Sequence, residues 1–303
     1  MGLIDKIRSS LPIPGRSFRH PERAQQLVAV VLLERPTTAD ELVALVATVP
    51  GATARPGTSE PATRGSATVG SETAPERNEA ATEAGGSAPV EVTLAGAHGF
   101  LLALDTPVPD GEAEASAANN PFWPEGAEQV ARHRAHVVVS LSNADADEGP
   151  DLEEDTRHTR TYAAFAHLVA GLLGHPDALG VYLGDQGVVY QPSFYIEAVN
   201  DAGDGLPWEV AWFTWAAWES EGVSCGSTHG LRVFGHEELE IRGSTELPST
   251  VMDMLANVAS YVVESGAVLL PGETLGYTDD QKLPIIAVEG SFVDGHALRI
   301  GLP

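Results

Sequence analysis

The stretch LPWEVAWFTWAAWESEGVSCGSTHGLRVFGHEELEIRG, residues 206–243, holds four of the chain's five tryptophans and its only cysteine. Trp208, Val210, Trp212, Ala216 and Trp218 share one strand parity, and Ala211, Phe213, Trp215 and Ala217 share the other. Apolar residues on both parities predict a central strand buried on both faces. Ser220, Glu221 and Gly222 supply the turn after it. From Val223 onward the odd positions are mostly apolar and the even ones small or polar, which predicts a strand covered on one face.

Register decides the next turn. A two-residue loop at Gly235 and His236 would set Glu238 against Val233 and Glu240 against Leu231, among core residues. A three-residue loop, 235–237, pairs Val233 with Leu239 and Leu231 with Ile241, and places Arg232 opposite Glu240 on an outer face. A slip of one residue reverses every side chain, so the second register is expected.

Composition narrows the function. The chain has 303 residues, 17 Lys and Arg against 43 Asp and Glu, and a formal net charge of -26. Nucleic acid and anionic membrane surfaces repel such a charge, whereas a basic protein partner is attracted to it. One cysteine leaves no intramolecular disulfide, and a cytoplasmic location is expected. No apolar run reaches spanning length, so no stable membrane insertion is expected. Leu3, Ile4, Ile7 and Leu11 could line a short helix in a flexible leader, residues 1–20.

The rest of the chain reads as an α+β protein. Residues 25–34 predict a buried strand. The run Thr37-Thr38-Ala39-Asp40-Glu41 then offers a capped start for a helix running to about residue 49. Residues 50–89 are rich in Ala, Thr, Gly, Ser, Pro and Glu and predict a disordered insertion, because they offer little apolar surface against their ordering entropy. A hairpin at 90–105 turning around residues 96–99, a loop at 119–123 leading into a short helix, and a strand at 136–141 follow. Strand, helix, strand, strand, helix, strand is the element order of a ferredoxin-like split β-α-β unit. The expected first half is thus 21–142, joined through an acidic loop and helix, 143–179, to a C-terminal α+β domain, 180–303. That domain contains a strand at 181–183, helices at 192–199 and 248–264, and strands near 268, 285–289 and 298–300. The second half repeats the element order of the first, which suggests two ferredoxin-like halves related by pseudo-duplication.

Thr228, Gly230, Leu231, Phe234, Gly235, Glu238, Glu240 and Ile241 carry a resemblance. Their pattern, T-x-G-L-x-x-F-G-x-x-E-x-E-I after a Trp-rich strand opened by Leu206-Pro207, resembles a bacterial family known only as a domain of unknown function. The resemblance spans roughly residues 180–303 and implies no activity, cofactor or catalytic residue. A loose association with conflict and stress loci implies an immunity-like role.

No catalytic residue, cofactor site or metal site is assigned. Cys225 and His229 would be about 13 Å apart on one strand, too far for a dyad. His236, Glu237, Glu238 and Glu240 lack zinc spacing and read as a solvent-facing acidic hairpin. His158, His167 and His175 do not share a helix face. The candidate ligand or interface residues are Phe122 and Trp123, as loop anchors or as a plug in the core, with His229, Arg232, Glu238 and Glu240. Two readings follow. One is a non-enzymatic acidic protein acting by protein–protein contact, immunity- or inhibitor-like. The alternative is an enzyme or small-ligand binder with His229, Glu238 and Glu240 converging between the halves and Trp123 at the entrance.

Overall fold

The protein is described from a computed structural model, which covers residues 21, 24, 26–57, 88–120, 123–142, 152–211, 217–276 and 282–303, with only the backbone of 152–157. It is a mixed α+β chain with two sheets. The chain divides into two compact units, one of residues 26–144 with 161–203, the other of 1–25, 145–160 and 204–303.

The first unit is built on strands β1 (Gln26–Leu33), β2 (Thr53–Pro56), β3 (Val90–Leu94), β4 (Ala97–Leu104), β5 (Ala135–Ser142), β6 (Ala178–Leu183) and β7 (Val188–Tyr190). Its helices are α1 (Ala39–Val46), α2 (Glu112–Ala118), α3 (Gly126–Val130), the later part of α4 (Leu152–Leu172) and α5 (Pro192–Ala202). Helix α1 starts as its residues predict. The Thr38 hydroxyl accepts the Glu41 N–H, and the Glu41 carboxylate accepts the Thr38 N–H, which closes a capping box.

The sheet order is β2-β3-β4-β5-β1-β6-β7, with every pair antiparallel. This differs from the ferredoxin-like expectation. In that fold the first strand lies between the third and fourth of the split unit, whereas here β5 enters between β4 and β1 and pairs with both. The four strands expected in this half are present, as β1, β3, β4 and β5. Strand neighbours are chosen by long-range pairing, which element order does not encode. Residues 178–203, expected with the connector and the C-terminal domain, supply β6, β7 and α5 to this unit, with β6 paired to β1.

One face of the sheet is apolar where β1 and β5 meet. Leu27, Ala29, Val31 and Leu33 of β1 pair with Leu141, Val139, Val137 and Ala135 of β5, and all are buried. The opposite face is covered where α2 and α3 pack, around Leu32, Ala113, Ala117, Trp123, Val130 and Val189. Helix α2 was missed because its sequence, EAEASAA, has no large apolar residue to mark a periodic stripe.

One turn and one strand also depart from expectation. The β3–β4 hairpin turns on Ala95 and Gly96 alone, both at positive φ (52° and 82°), so β4 already starts at Ala97, inside the turn expected at 96–99. Strand β2 forms inside the stretch expected to be disordered. It pairs with β3 from Thr53↔Thr93 to Pro56↔Val90, and Arg55 bonds Glu91 at 2.7 Å. An edge strand needs ladder bonds more than apolar side chains, so composition understated it. The rest of the expected insertion, 58–87, lies outside the described residues.

The second unit carries α6 (Trp208–Ala211), β8 (Trp218–Ser220), β9 (Val223–Ser227), β10 (Glu238–Ser244), α7 (Pro248–Ser265), β11 (Thr274–Gly276), β12 (Lys282–Glu289) and β13 (His296–Ile300). The sheet order is β11-β12-β13-β10-β9-β8, antiparallel except for the parallel β10–β13 pair. Helix α7 opens on Pro248 and stops at Gly266 in the left-handed region, as expected. It packs on β9 and β10, burying Val251, Leu255, Val258, Ala259 and Val262.

The expected central tryptophan strand gives way to two other elements. Trp208–Ala211 is a helical turn, Trp218–Ser220 is a short edge strand, and the residues between, 212–216, lie outside the described set. Apolar residues on both strand parities are equally compatible with a buried helical turn, and the Pro207 carbonyl accepts the N–H groups of both Val210 and Ala211. The turn at Glu221 and Gly222 is as expected, with both residues at positive φ.

The predicted hairpin register is also overturned. Strand β9 ends at Ser227, and β10 pairs with it as Glu240↔Ser227, Ile241↔Gly226 and Arg242↔Cys225. Leu231–Phe234 is a 3₁₀ turn between Gly230 and Gly235, both at positive φ (108° and 80°). Leu231, Val233 and Phe234 are all buried, so the alternation read as a strand was the inner side of a turn. The strand expected near residue 268 is absent, and β11 lies six residues further on.

Candidate functional site

Glu238, Glu240 and Arg242 alternate along one face of β10, while Leu239 and Ile241 alternate along the other and are buried, as is the α7 side of the unit. The expected solvent-facing hairpin is instead interior. Glu238 is 4% exposed and Glu240 is fully buried. A buried carboxylate is tolerable only when its oxygens are occupied by donors, and both are.

Glu238 Oε2 accepts the Thr228 hydroxyl at 2.7 Å, and Oε1 accepts the Gly230 N–H at 2.9 Å and the Arg232 N–H at 3.4 Å. These amides open the 3₁₀ turn, so Glu238 caps it from the neighbouring strand. Thr228 is held in return, its oxygen accepting the Leu239 N–H at 2.8 Å. Burial pushes the Glu238 carboxyl above the usual carboxylate range, against the downward pull of these bonds and of the Arg232 charge.

Glu240 holds a second loop. Its Oε1 accepts the N–H groups of Ser291 and Phe292 at 2.6 and 2.9 Å, and its Oε2 takes Arg299 Nη2 at 3.4 Å. Two successive amides directed at one carboxylate form an anion nest, here filled by the chain's own side chain. Arg242 and Arg299 both donate to the Ser291 hydroxyl, at 3.2 and 3.0 Å. Phe292 from the same loop meets Trp218 edge to face, with centroids 4.6 Å apart.

Arg232 does not pair with Glu240. Its Nη2 donates to the His296 carbonyl at 2.7 Å and reaches Glu237 at 3.4 Å. The displaced register is the reason, since Arg232 sits in the turn and not on a strand opposite Glu240. His229 Nε2 lies 3.1 Å from the Ser227 hydroxyl. Burial, then the charge of Arg232, lowers the His229 pKa. This is nucleophile-to-base distance, yet Ser227 has no exposed surface for a substrate to reach. Cys225 is a buried free thiol on the same face of the sheet.

Trp123 belongs to the first unit and is 8% exposed in its apolar cluster, so of the two readings weighed it is the core plug. Gly126 allows this, because a Cβ there would meet the indole at 2.9 Å. Phe122 lies outside the described residues. Among the described residues no group of three His, Cys, Asp or Glu side chains could hold a metal. No helix among them is long and apolar enough to cross a membrane.

Glu238, Glu240, Arg232 and His229 stand out in the sequence, but the groups they bond to do not. Arg299 and the Ser291–Phe292 amides are more than fifty residues beyond Glu240 in sequence. The one available signal was Arg299 set inside the apolar run of β13, where a charge calls for a buried partner.

A family model for a domain of unknown function (DUF4261) matches residues 227–301. The match runs from the end of β9 through the 3₁₀ turn, β10, α7 and the last three strands, and it contains the 228–241 pattern that carries the resemblance. No curated protein and no solved structure matches the chain.

Proposed function

We propose that this is a non-enzymatic acidic protein of the cytoplasm that works by protein–protein contact, meeting a basic partner as an inhibitor or immunity protein does. The observation that carries the reading is how its charges are distributed. Arg35, Arg55, Arg132 and Arg232 are each tied to a carboxylate, on Asp177, Glu91, Glu34 and Glu237. Cations neutralised in this way leave the surplus carboxylates of a -26 chain to set the surface potential. The two most conspicuous sequence candidates, Glu238 and Glu240, are occupied by donors of their own unit and serve its architecture.

The test is capture of partners by the purified full chain at low ionic strength, followed by reconstitution with each purified partner. The expected result is a basic protein whose association rate and affinity fall steeply with added salt. Absence of any partner under those conditions, or binding indifferent to salt, overturns the reading.

The Ser227–His229 distance favours a second reading, nucleophilic chemistry at Ser227. Labelling of Ser227 by a fluorophosphonate, lost in His229→Gln, would support it. The burial of the hydroxyl opposes it.

A further inference from the structure

Two proline-containing turns of the first unit meet at one end of its sheet. Arg35 and Pro36 leave β1 and lead into α1, while His175, Pro176 and Asp177 leave α4 and lead into β6. The Glu34 N–H donates to the Asp177 carbonyl at 2.9 Å and fixes one turn on the other. Between them and α1 lies an open cleft of about 640 Å³, within the range that ligand pockets occupy.

The floor of the cleft is apolar, from Pro36, Ala44, Leu45 and Pro176. Its charge is settled by two carboxylates and one guanidinium. Asp177 takes Arg35 through both oxygens, at 2.9 and 2.8 Å from Nη2 and 3.1 Å from Nε, so the Arg35 charge is already matched. Glu41 accepts all three of its bonds on Oε2, from Thr37 and Thr38, which leaves Oε1 for an incoming donor. The field here is negative. Arg35 is held more firmly protonated by Asp177 and, more weakly, by Glu34 and Glu41. The Nδ1 of His175 accepts the Asp177 N–H at 3.1 Å, so the neutral ring carries its proton on Nε2.

An apolar floor beneath an unmatched carboxylate fits a side chain with an aliphatic stem and a cationic head. We propose that this cleft receives an arginine or lysine side chain of a basic protein partner, with its methylenes over Leu45 and the two prolines and its head on Glu41. The proposal rests on the reading of this protein as the acidic member of an acidic–basic pair, and it names the part of the surface that makes the contact.

The experiment is fluorescence anisotropy of a labelled tetra-arginine peptide against the full chain at low ionic strength. Glu41→Gln removes the charge but keeps a capping-box side chain, since glutamine serves at that position, so α1 should stay folded. Glu219→Gln, at an exposed site of the second unit, removes the same charge elsewhere. The expected result is binding weakened about fivefold or more by Glu41→Gln and less than about twofold by Glu219→Gln. Equal weakening by both variants overturns the cleft and leaves the acidic-surface reading standing. Absence of peptide binding overturns the cleft, while partner capture still tests the wider reading. Free arginine amide binding as tightly as the peptide, and displacing it, would make this a small-cation site and overturn the protein-docking proposal.

Discussion

Thr228 donates its hydroxyl to Glu238 at 2.7 Å while accepting the Leu239 N–H at 2.8 Å, so one side chain ties the end of β9 to the start of β10. Glu238→Ala removes the acceptor of three donors at once. It is expected to cost about 2–4 kcal/mol, and Thr228→Val about 1–3 kcal/mol. Urea unfolding of both variants and the double variant checks this. Because the two share one network, their effects should sum to more than the double variant shows. Single losses within about 0.5 kcal/mol of zero would mean that the capped turn is not a structural lock.

Glu240 is expected to be the more costly carboxylate. Glu240→Ala leaves the Ser291 and Phe292 amides and the Arg299 guanidinium without their anion, at about 3–5 kcal/mol. Hydrogen exchange of the Ser291 and Phe292 amides should accelerate more in this variant than in Glu238→Ala. Equal protection in both would refute the assignment of Glu240 to that loop.

Trp123→Ala empties the cluster formed with Leu32, Val130 and Val189 and should cost about 3–5 kcal/mol. Gly126→Ala pushes a methyl against the same indole and should cost about 1–3 kcal/mol. If Trp123→Ala abolished partner binding without loss of stability, the residue would be a recognition anchor and not a plug.

Acid should destabilise the fold through two histidines. Burial lowers the pKa of His136, partly countered by its bond to the Thr106 carbonyl, and burial lowers that of His229. Each ring binds its proton more readily unfolded than folded. Its contribution is therefore complete above the unfolded value of about 6.5 and is lost as pH falls through the lower folded value. Glu238, with its raised pKa, carries the opposite sign: its contribution is lost as pH rises through the folded value. The combined variant His136→Asn with His229→Gln isolates the histidine part. Its thermal midpoint should fall less between pH 7 and pH 5 than that of the parent, and an unchanged pH profile would refute the assignment.

Features held by neighbours in sequence are legible in the residues, and those held by distant groups are not. Residues 37–41 marked the start of α1, Pro248 with Gly266 bounded α7, and the apolar runs of β1 and β5 were placed within a residue or two. Each signal lies within one turn of helix or one strand. The misreadings came where two structures share a pattern. Leu231, Val233 and Phe234 fit one side of a strand or the inside of a 3₁₀ turn, and Trp208 to Ala211 fit a buried strand or a buried helical turn. The left-handed glycines at 230 and 235 were the discriminating clue, because two positive-φ residues bracketing four others break a strand.

From its residues alone the chain is acidic, α+β, and furnished with particular caps and turns, because charge, periodicity and local backbone preference are properties of neighbours in sequence. Only the tertiary structure decided that β5 separates β4 from β1, that Glu238 and Glu240 face inward, and that Arg35, Glu41 and Asp177 border one cleft. Strand order, the donors for a buried carboxylate and the walls of a cleft are set by groups tens of residues apart. Their meeting is selected by total burial and hydrogen-bond satisfaction across the whole unit, which no local window of sequence contains.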